Sequence, residues 1–425
     1  MRTHPQPIRY PGNVMAIVMA GGQGSRLMPL TRNRSKPAVP FGSRYRIVDF
    51  VLSNLVNSGI YTIYLLVQYK SQSLIEHIRK AWTISPLFSD QFVTVVPPQM
   101  RSGNGWFTGT ADAVMQNIEL IEHQHPHLVL VLGADHVYRM DLQQMIAFHL
   151  EREADVTVAA LPVPIAQSSS FGVIAADPDG RIRGFHEKPE RGTPMPGDPS
   201  RVYASMGNYI FNSGCLVRAL RHARDHGGTD FGNHVLPQML GGSRLFAYNF
   251  ADNRIPGLKP YEEAAYWRDV GTIDAYYEAH QDVLGVEPAL DIFNPQWPVY
   301  SSNYQGPVAK VLRGDIDNSL LGAATVIENA RVRNSIVRRE AVIEDGAEVE
   351  DCIIMDYTRI GRGARLKRAI VDRHNVIEGG SRIGLDPAED RRNWDVTPSG
   401  IVVVPRGRTP FFARDSRGFG IGYSE

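Results

Sequence analysis

A 17-residue repeat in the last third of the chain is the feature that most restricts its fold. Aliphatic residues recur at three positions of this repeat, with spacings of 6, 6 and 5 residues. The positions are Leu320, Val326, Val332, Val337, Ile343, Val349, Ile354, Ile360, Leu366, Val371, Ile377 and Ile383. An aliphatic residue at every edge of a three-sided coil is typical of a hexapeptide parallel β-helix, in which stacked coils bury one another. The repeat therefore predicts a β-helix domain over residues 308–425.

The first 290 residues follow a different pattern, in which apolar runs alternate with helical periodicity. Four runs have the length of strands: 14–20, 62–69, 127–132 and 155–161. One helix is predicted to begin at Thr110 and to carry Val114, Ile118 and Ile121. This alternation predicts an α/β domain over residues 1–290, with a mostly parallel sheet flanked by helices and ligands beyond the carboxyl ends of its strands. Residues 291–307 contain three prolines without periodicity and are predicted to be a linker.

Composition excludes several classes of function. Lys and Arg number 45 and are balanced by 45 Asp and Glu, so the chain lacks the basic excess of a nucleic-acid-binding protein. No apolar run approaches the roughly 20 residues that span a bilayer, so we expect no membrane partner. The two cysteines, Cys215 and Cys352, cannot form a disulfide framework. We therefore expect a cytoplasmic protein.

A glycine-rich segment follows the first predicted strand and points to phosphate binding. Gly21, Gly22 and Gly24 leave backbone N–H groups free to converge on an anion. The segment has neither the P-loop spacing nor the third glycine of a dinucleotide fingerprint. A purely structural turn is the alternative. Arg26 and Lys36, which lie nearby in the sequence, favour a polyphosphate ligand.

Acidic residues supply the second part of the predicted site. Asp135 follows the third predicted strand, where it either binds Mg²⁺ or caps a turn, and Asp269 would complete a two-carboxylate site if the fold brings it opposite. Glu187 and Lys188 either bind substrate or form a solvated surface pair. The set contains no nucleophilic triad. It suits nucleotidyl transfer between phosphates, which needs positioning and positive charge rather than a general base.

Seven segments, taken in order, resemble a known family. They read MAGGQGSRLMPLTRNRSKPAVPFG, YRIVDFVLSN, GTADAV, GADHVYRMD, FHEKP, SMGNYIF and YWRDVGT. With the repeat that follows, they closely resemble glucose-1-phosphate adenylyltransferase (ADP-glucose pyrophosphorylase) of bacterial glycogen synthesis. The resemblance implies a nucleotidyltransferase-like domain followed by a left-handed parallel β-helix for regulation and oligomerisation. It also implies conversion of ATP and glucose 1-phosphate to ADP-glucose and pyrophosphate, with Mg²⁺, in a homotetramer.

The resemblance also assigns roles to single residues. The implied catalytic residues are Arg26, Lys36, Asp135, Lys188 and Asp269, of which Asp135 and Asp269 are the implied metal ligands. The implied ATP-binding residues are Ala20, Gly21, Gly22, Gly24, Gln99, Gly109 and Thr110. The implied glucose 1-phosphate-binding residues are Glu187, Lys188, Ser205, Tyr209, Asp230, Phe231 and Trp267.

An anionic allosteric effector is a further implication of the resemblance. Arg34, Arg46 and Arg368 offer cations for a phosphorylated effector between the domains, and solvated charge on exposed faces is the alternative for each. Asn33 stands where enterobacterial relatives carry the lysine that binds fructose 1,6-bisphosphate, so the identity of the activator stays open. Two alternative functions also stay open. They are transfer of a thymidylyl or uridylyl group to glucose 1-phosphate, and a non-catalytic regulatory subunit.

Overall fold

The computed structural model describes residues 12–84, 90–99 and 106–408. Residues 1–11 of the predicted first domain and 409–425 of the predicted second domain lie outside the described residues. The strands of the first part are β1 (Val14–Met19), β2 (Pro40–Phe41), β3 (Tyr45–Arg46), β4 (Thr62–Leu66), β5 (Phe92–Val96), β6 (Leu128–Gly133), β7 (His136–Tyr138), β8 (Val156–Pro164), β9 (Gly172–Ala176), β10 (Ile182–Glu187), β11 (Arg201–Asn212), β12 (Leu245–Asn249) and β13 (Trp267–Asp269).

Nine of these strands form one mixed sheet, which confirms the predicted α/β class. The order is β10-β9-β11-β6-β1-β4-β5, and β8 joins β11 to β12. Strands β5, β4, β1 and β6 run parallel, whereas β11 runs antiparallel to β6. The central residues of β1 are fully buried because apolar clusters cover both faces of the sheet. Parallel pairing brings the carboxyl ends of β1 and β6 side by side, with Met19 opposite Gly133.

Most of the helices pack around the sheet. They are α1 (Ile47–Asn57), α2 (Gln72–Ala81), α3 (Thr110–Met115), α4 (Ile118–Gln124), α5 (Leu142–Glu151), α6 (Ser213–Asp225), α7 (Leu236–Met239), α8 (Ile273–Gln281) and α9 (Pro387–Asn393). The single helix predicted from Thr110 is two helices, α3 and α4. The buried Asn117 lies at the break, where its side-chain amide donates to the Ala113 carbonyl and competes with the helical pattern. No helix within the described ranges is long and apolar enough to cross a membrane.

The 17-residue repeat forms a stack of short parallel strands, which confirms the predicted β-helix. The strands are β14 (Lys310–Asp317), β15 (Leu320–Leu321), β16 (Val326–Arg333), β17 (Ile336–Val337), β18 (Val342–Ile343), β19 (Glu348–Glu350), β20 (Ile353–Ile354), β21 (Arg359–Ile360), β22 (Arg365–Lys367), β23 (Ala369–Val371), β24 (Val376–Ile377), β25 (Arg382–Ile383), β26 (Asp395–Val396) and β27 (Val402–Val404). Val332, Val349, Leu366 and Ile383 are stacked in register through β16, β19, β22 and β25. All repeat positions from Val332 onward are buried, whereas Leu320 and Val326 in the first coil are half-buried.

The β-helix packs against the α/β domain through a mixed apolar and charged contact. Ile336, Ile353 and Ile370 share a buried cluster with residues such as Phe41 and Tyr276. The guanidinium of Arg338 donates to the carbonyls of Phe41, Gly42 and Tyr45. These contacts hold the segment that contains Lys36 against the β-helix.

Candidate active site

One cavity of about 600 Å³ lies at the carboxyl edge of the parallel strands and contains most of the predicted site residues. Those lining it are Gly21, Gly22, Gly109, Thr110, Asp135, Glu187, Lys188, Ser205, Tyr209, Asp230, Trp267 and Asp269. The loops after β1 and β6 both open into it, because these two strands end side by side. The other predicted substrate-site residues are not part of its lining.

The glycine-rich segment forms one rim of the cavity. A Cβ at Gly22 would meet no atom within 4 Å, so the backbone here is open to a ligand. Gly24 has φ of 63°, a left-handed conformation that favours glycine, and it precedes a single 3₁₀ turn over Ser25–Leu27. The Thr31 hydroxyl donates to the Gly24 carbonyl and fixes this bend. Ala20 lies behind the rim. Its N–H donates to the carbonyl of Leu66, the last residue of β4, so this N–H is already paired within the sheet.

A two-stranded ribbon brings the two predicted metal ligands together. Strand β7 pairs antiparallel with β13, and this pairing sets Asp269 opposite His136, the residue after Asp135. Asp135, His136 and Asp269 offer ligand atoms within 4.8 Å of one another. Two carboxylates that converge at one point are the oxygen donors that a hard divalent cation prefers. The geometry therefore fits a divalent metal.

Lys36 provides the positive charge nearest to these carboxylates. Its Nζ lies 3.1 Å from Asp135 Oδ2 and 2.8 Å from Asp269 Oδ1. Burial lowers the pKa of Lys36, but the two carboxylates raise it more strongly, so the ammonium stays charged. Burial likewise raises the pKa of Asp135, yet the charges of His136 and Lys36 bring it well below its usual value. Arg26 is mostly exposed, with its guanidinium 4.0 Å from Asp269.

The opposite side of the cavity carries the residues predicted to bind the sugar phosphate. Lys188 directly follows β10, has φ of 45° and extends its exposed ammonium to within 3.3 Å of a Glu187 carboxylate oxygen. Ser205 and Tyr209 lie on β11, on either side of a register shift in its pairing with β8. Phe231 is fully buried behind the wall, where its ring packs 5.5 Å from that of Tyr209. It supports the pocket rather than lining it.

Thr110 and Gly109, predicted to bind ATP, contact residues on the side of the cavity predicted to bind the sugar phosphate. The Thr110 hydroxyl donates to Asp230 Oδ2 at 2.8 Å and accepts from the N–H of Phe231. A Cβ at Gly109 would lie 2.3 Å from the Thr229 carbonyl oxygen, so only glycine fits this approach. Gln99 is exposed, and its amide donates to the Pro97 carbonyl. Gln99 is not among the described residues that line the cavity.

Several residues that were not predicted from the sequence also line the cavity, and His136 and Gln68 are two of them. His136 packs its ring 4.7 Å from that of Trp267, and its buried Nδ1 has no hydrogen-bond partner in the described part of the chain. Gln68, which follows β4, donates to the Gly21 carbonyl at 3.3 Å. Gln68 follows β4 at the carboxyl edge of the sheet, and His136 directly follows the predicted site residue Asp135. Their position close to a strand end is therefore the sequence feature that could have identified them.

The three predicted effector residues lie in different environments. Arg34 is fully buried and forms an ion pair with Asp372 of the β-helix. Arg46 lines a second cavity of about 430 Å³ between the domains, and its guanidinium donates to Ser73. Arg368 is exposed and lies over the Tyr277 ring at 5.7 Å. The structure thus brings only Arg46 of the three into the inter-domain cavity.

Other cations surround Arg46 in this inter-domain cavity. They are Lys80, Arg339, Arg373 and Arg406, with His374 beside them. Burial and the charge of Arg373 lower the pKa of Arg46 to about 9. Burial and the neighbouring arginines also lower the pKa of His374 to about 4. Arg373 Nε and His374 Nδ1 are buried without hydrogen-bond partners among the described residues. The cavity therefore has a surplus of positive charge.

Comparison with known proteins agrees with this arrangement. Residues 15–285 match the nucleotidyl transferase family, and residues 308–404 match the GlmU-like C-terminal hexapeptide family. A glucose-1-phosphate adenylyltransferase of Thermodesulfovibrio yellowstonii is 56% identical, over 92% of this chain and 96% of its own length. Enzymes of the same name from Thermus thermophilus and Corynebacterium jeikeium are 45% and 44% identical, over 93% and 92% of this chain and 98% and 97% of theirs. The chain belongs to the glucose-1-phosphate adenylyltransferase family of nucleotidyl transferases.

Proposed function

We propose that this chain transfers the adenylyl group of ATP to glucose 1-phosphate and forms ADP-glucose and pyrophosphate for glycogen synthesis. The observation that carries the proposal is the single cavity with an open glycine rim and two convergent carboxylates on one side and Lys188 on the other. It has room for a polyphosphate and a sugar phosphate to meet. The family membership supports the same reaction.

The proposed step is an in-line displacement at the α-phosphorus of ATP. A phosphate oxygen of glucose 1-phosphate forms the new bond, the bond from the α-phosphorus to the bridging β-oxygen breaks, and pyrophosphate leaves with the electron pair. The attacking phosphate, with a second pKa of about 6, is already largely a dianion at neutral pH, so no side chain has to remove a proton. Binding and orientation are therefore the main tasks of the protein.

Each side chain has a proposed task in that step. Asp135 and Asp269 hold a divalent cation, proposed to be Mg²⁺, which supplies charge stabilisation to the phosphates when bound. Arg26 and Lys36 stabilise charge on the leaving pyrophosphate, and Lys188 positions the attacking phosphate. The neutral side chains of Ser205 and Tyr209, with the acceptors Glu187 and Asp230, orient the sugar hydroxyls. Gly21, Gly22 and Gly24 offer backbone donors to the ATP phosphates.

A pyrophosphate-release assay with four nucleoside triphosphates and glucose 1-phosphate tests this function. We expect ATP to be used at least about 100-fold more efficiently than UTP, GTP or dTTP, which is about 2.7 kcal/mol of discrimination. Preference for UTP or dTTP would favour the uridylyl- or thymidylyltransferase alternative. No pyrophosphate release by the purified full chain with any nucleotide would instead favour a non-catalytic subunit.

We also propose that an anionic, phosphorylated effector binds the inter-domain cavity. Its support is the cluster of cations around Arg46 and the unpartnered buried nitrogens of Arg373 and His374. Glycolytic intermediates added to the assay should change the rate of the wild-type enzyme. Arg373→Ala should lose this response but keep basal activity. Arg365→Ala, which removes a β-helix arginine outside the cavity, should respond like the wild type. An unchanged response in Arg373→Ala contradicts this assignment.

A cytoplasmic homotetramer completes the proposed function. Strand β14 pairs only with β16 among the described strands, and its segment exposes Val308, Val311 and Leu312. An open strand edge with exposed apolar side chains suits association between copies. Light scattering coupled to gel filtration should give the mass of four chains. The mass of a single chain at assay concentration would contradict the tetramer.

A further inference from the structure

Lys36 occupies the point at which the two proposed metal ligands converge. Its ammonium bonds both Asp135 Oδ2 and Asp269 Oδ1, at 3.1 Å and 2.8 Å, and its side chain is only 6% exposed. Arg26 lies farther away, at 4.0 Å from Asp269, and is largely solvated. His136 lies 3.6 Å from Asp135 and 4.0 Å from Asp269. Lys36 is therefore the cationic side chain nearest to both carboxylates among the described residues.

A divalent cation and Lys36 cannot use this pair in the same way at the same time. A cation held by the two oxygens that Lys36 now bonds, Asp135 Oδ2 and Asp269 Oδ1, would occupy the space that the ammonium fills. Two positive centres would then be in contact without an anion between them, which is strongly unfavourable. A cation that uses these two oxygens therefore has to displace Lys36 from them.

We propose that Lys36 is an internal stand-in for the divalent cation, and that it exchanges its place between the carboxylates for a place on the nucleotide polyphosphate when the cation binds. The proposal rests on the cation site proposed above. It adds a task to Lys36 that simple phosphate binding does not include, namely control of cation affinity in the absence of nucleotide.

The surroundings of Lys36 allow this exchange without a rearrangement of the backbone. A Cβ at Gly24 would lie 3.0 Å from the Cβ of Lys36, so the lysine stem emerges directly beside the glycine rim. The lysine side chain has four flexible bonds and a compact charge. Rotation about these bonds therefore carries the ammonium from the carboxylates toward the rim. The glycine at position 24 keeps the path free of a side chain.

The exchange links the binding of cation and nucleotide. Free cation has to displace Lys36 from both carboxylates, so it binds weakly on its own. Polyphosphate at the rim accepts the displaced ammonium and thereby favours cation binding. By thermodynamic reciprocity, the cation then strengthens polyphosphate binding by the same factor. The enzyme would thus load the two ligands together.

Mn²⁺ binding to the full-length protein, followed by the electron paramagnetic resonance signal of free Mn²⁺, tests the proposal without catalysis. In the absence of nucleotide, Lys36→Met should bind Mn²⁺ about 10-fold more tightly than the wild type, a coupling of ordinary size. Inorganic pyrophosphate should tighten Mn²⁺ binding in the wild type and much less in Lys36→Met. Asp135→Asn should weaken Mn²⁺ binding both in the wild type and in Lys36→Met. This loss would show that the measured Mn²⁺ binds at the carboxylate pair.

Lys70→Met is the matched control. Lys70 lies near the same segment, and its ammonium donates to the Thr31 carbonyl at 3.2 Å rather than to a carboxylate. Its removal should leave Mn²⁺ affinity within about twofold of the wild type, because its charge is not at the cation site. If Lys36→Met fails to fold by circular dichroism, Lys36→Gln takes its place.

Two results would overturn the exchange. One is a folded Lys36 variant that binds Mn²⁺ no more tightly than the wild type, and the other is equal tightening in Lys36→Met and Lys70→Met. Neither depends on turnover. Failure of the proposed function would be seen separately, as wild-type protein that forms no ADP-glucose, so the two failures are distinguishable.

Discussion

The buried ion pair between Arg34 and Asp372 should be a major tie between the two domains. Both side chains are at least 96% buried. Arg34 Nε donates to the Leu30 carbonyl at 2.9 Å, so Asp372 is the charged partner of its remaining nitrogens. In Asp372→Asn, the new amide can still accept the Arg373 N–H that Oδ1 now accepts. It cannot neutralise Arg34, and an uncompensated buried charge of this kind costs about 3–5 kcal/mol.

Urea unfolding of the full chain at pH 7, followed by circular dichroism, measures this cost. Asp315→Asn is the matched control, because Asp315 pairs with Arg333 on the same β-helix but both side chains are about half exposed. An exposed pair contributes within about 1 kcal/mol. The double variant Arg34→Met/Asp372→Leu should recover most of the loss, since it removes both charges of this buried pair. Equal, small losses in Asp372→Asn and Asp315→Asn would refute the reasoning.

Two further predictions concern catalysis and pH. Lys188→Ala should raise the KM for glucose 1-phosphate about 10-fold or more, whereas Asp135→Ala should mainly lower kcat; steady-state kinetics that show the same effect for both would contradict the roles. His280 is buried and accepts the Gly42 N–H, and burial lowers its pKa from 6.5 to about 3. Its contribution to the free energy of unfolding is therefore complete above pH 6.5 and is lost as pH falls toward 3. Urea unfolding across this range should show the decline, and a His280→Gln variant whose pH slope matches the wild type would contradict it.

Periodicity predicted the β-helix well because each repeat has to bury its own aliphatic residues against the next coil. Val349 and Leu366 are buried and in register for this reason. The first coil departs from the pattern, because Leu320 in β15 has a neighbouring coil on one side only and stays half-buried. Val326 is also half-buried, although its strand pairs with both β14 and β18. The break between α3 and α4 also escaped prediction. It depends on one side-chain hydrogen bond, from Asn117 to the Ala113 carbonyl, which apolar spacing does not report.

The sequence predicted the site residues that directly follow a strand. It predicted less well the contacts that depend on pairing between two short strands. Asp135 follows a long apolar run, so its position at the carboxyl edge could be inferred. Its approach to Asp269 depends on the short ribbon of β7 and β13, which are three residues each and have no periodic signal. The same limit applies to Arg34. The sequence identifies Arg34 as a cation. Only the packing of the β-helix places Asp372 against it, and this ion pair gives Arg34 a structural role.

Arg34 and Lys36 lie close together in the sequence, so the ion pair with the β-helix is near the ion pair with the proposed metal ligands. Arg34, Ser35 and Lys36 are all at least 95% buried, and only Ser35 separates the residue paired with the β-helix from the residue paired with the proposed metal ligands. The buried backbone of this short segment absorbs little displacement, so a shift at Arg34 is passed on to the base of the Lys36 side chain. Loss of the Asp372 contact should therefore disturb the hold of Lys36 on the carboxylates and tighten Mn²⁺ binding without nucleotide. Unchanged Mn²⁺ affinity in a destabilised Asp372→Asn protein would show that the segment isolates the two sites from each other.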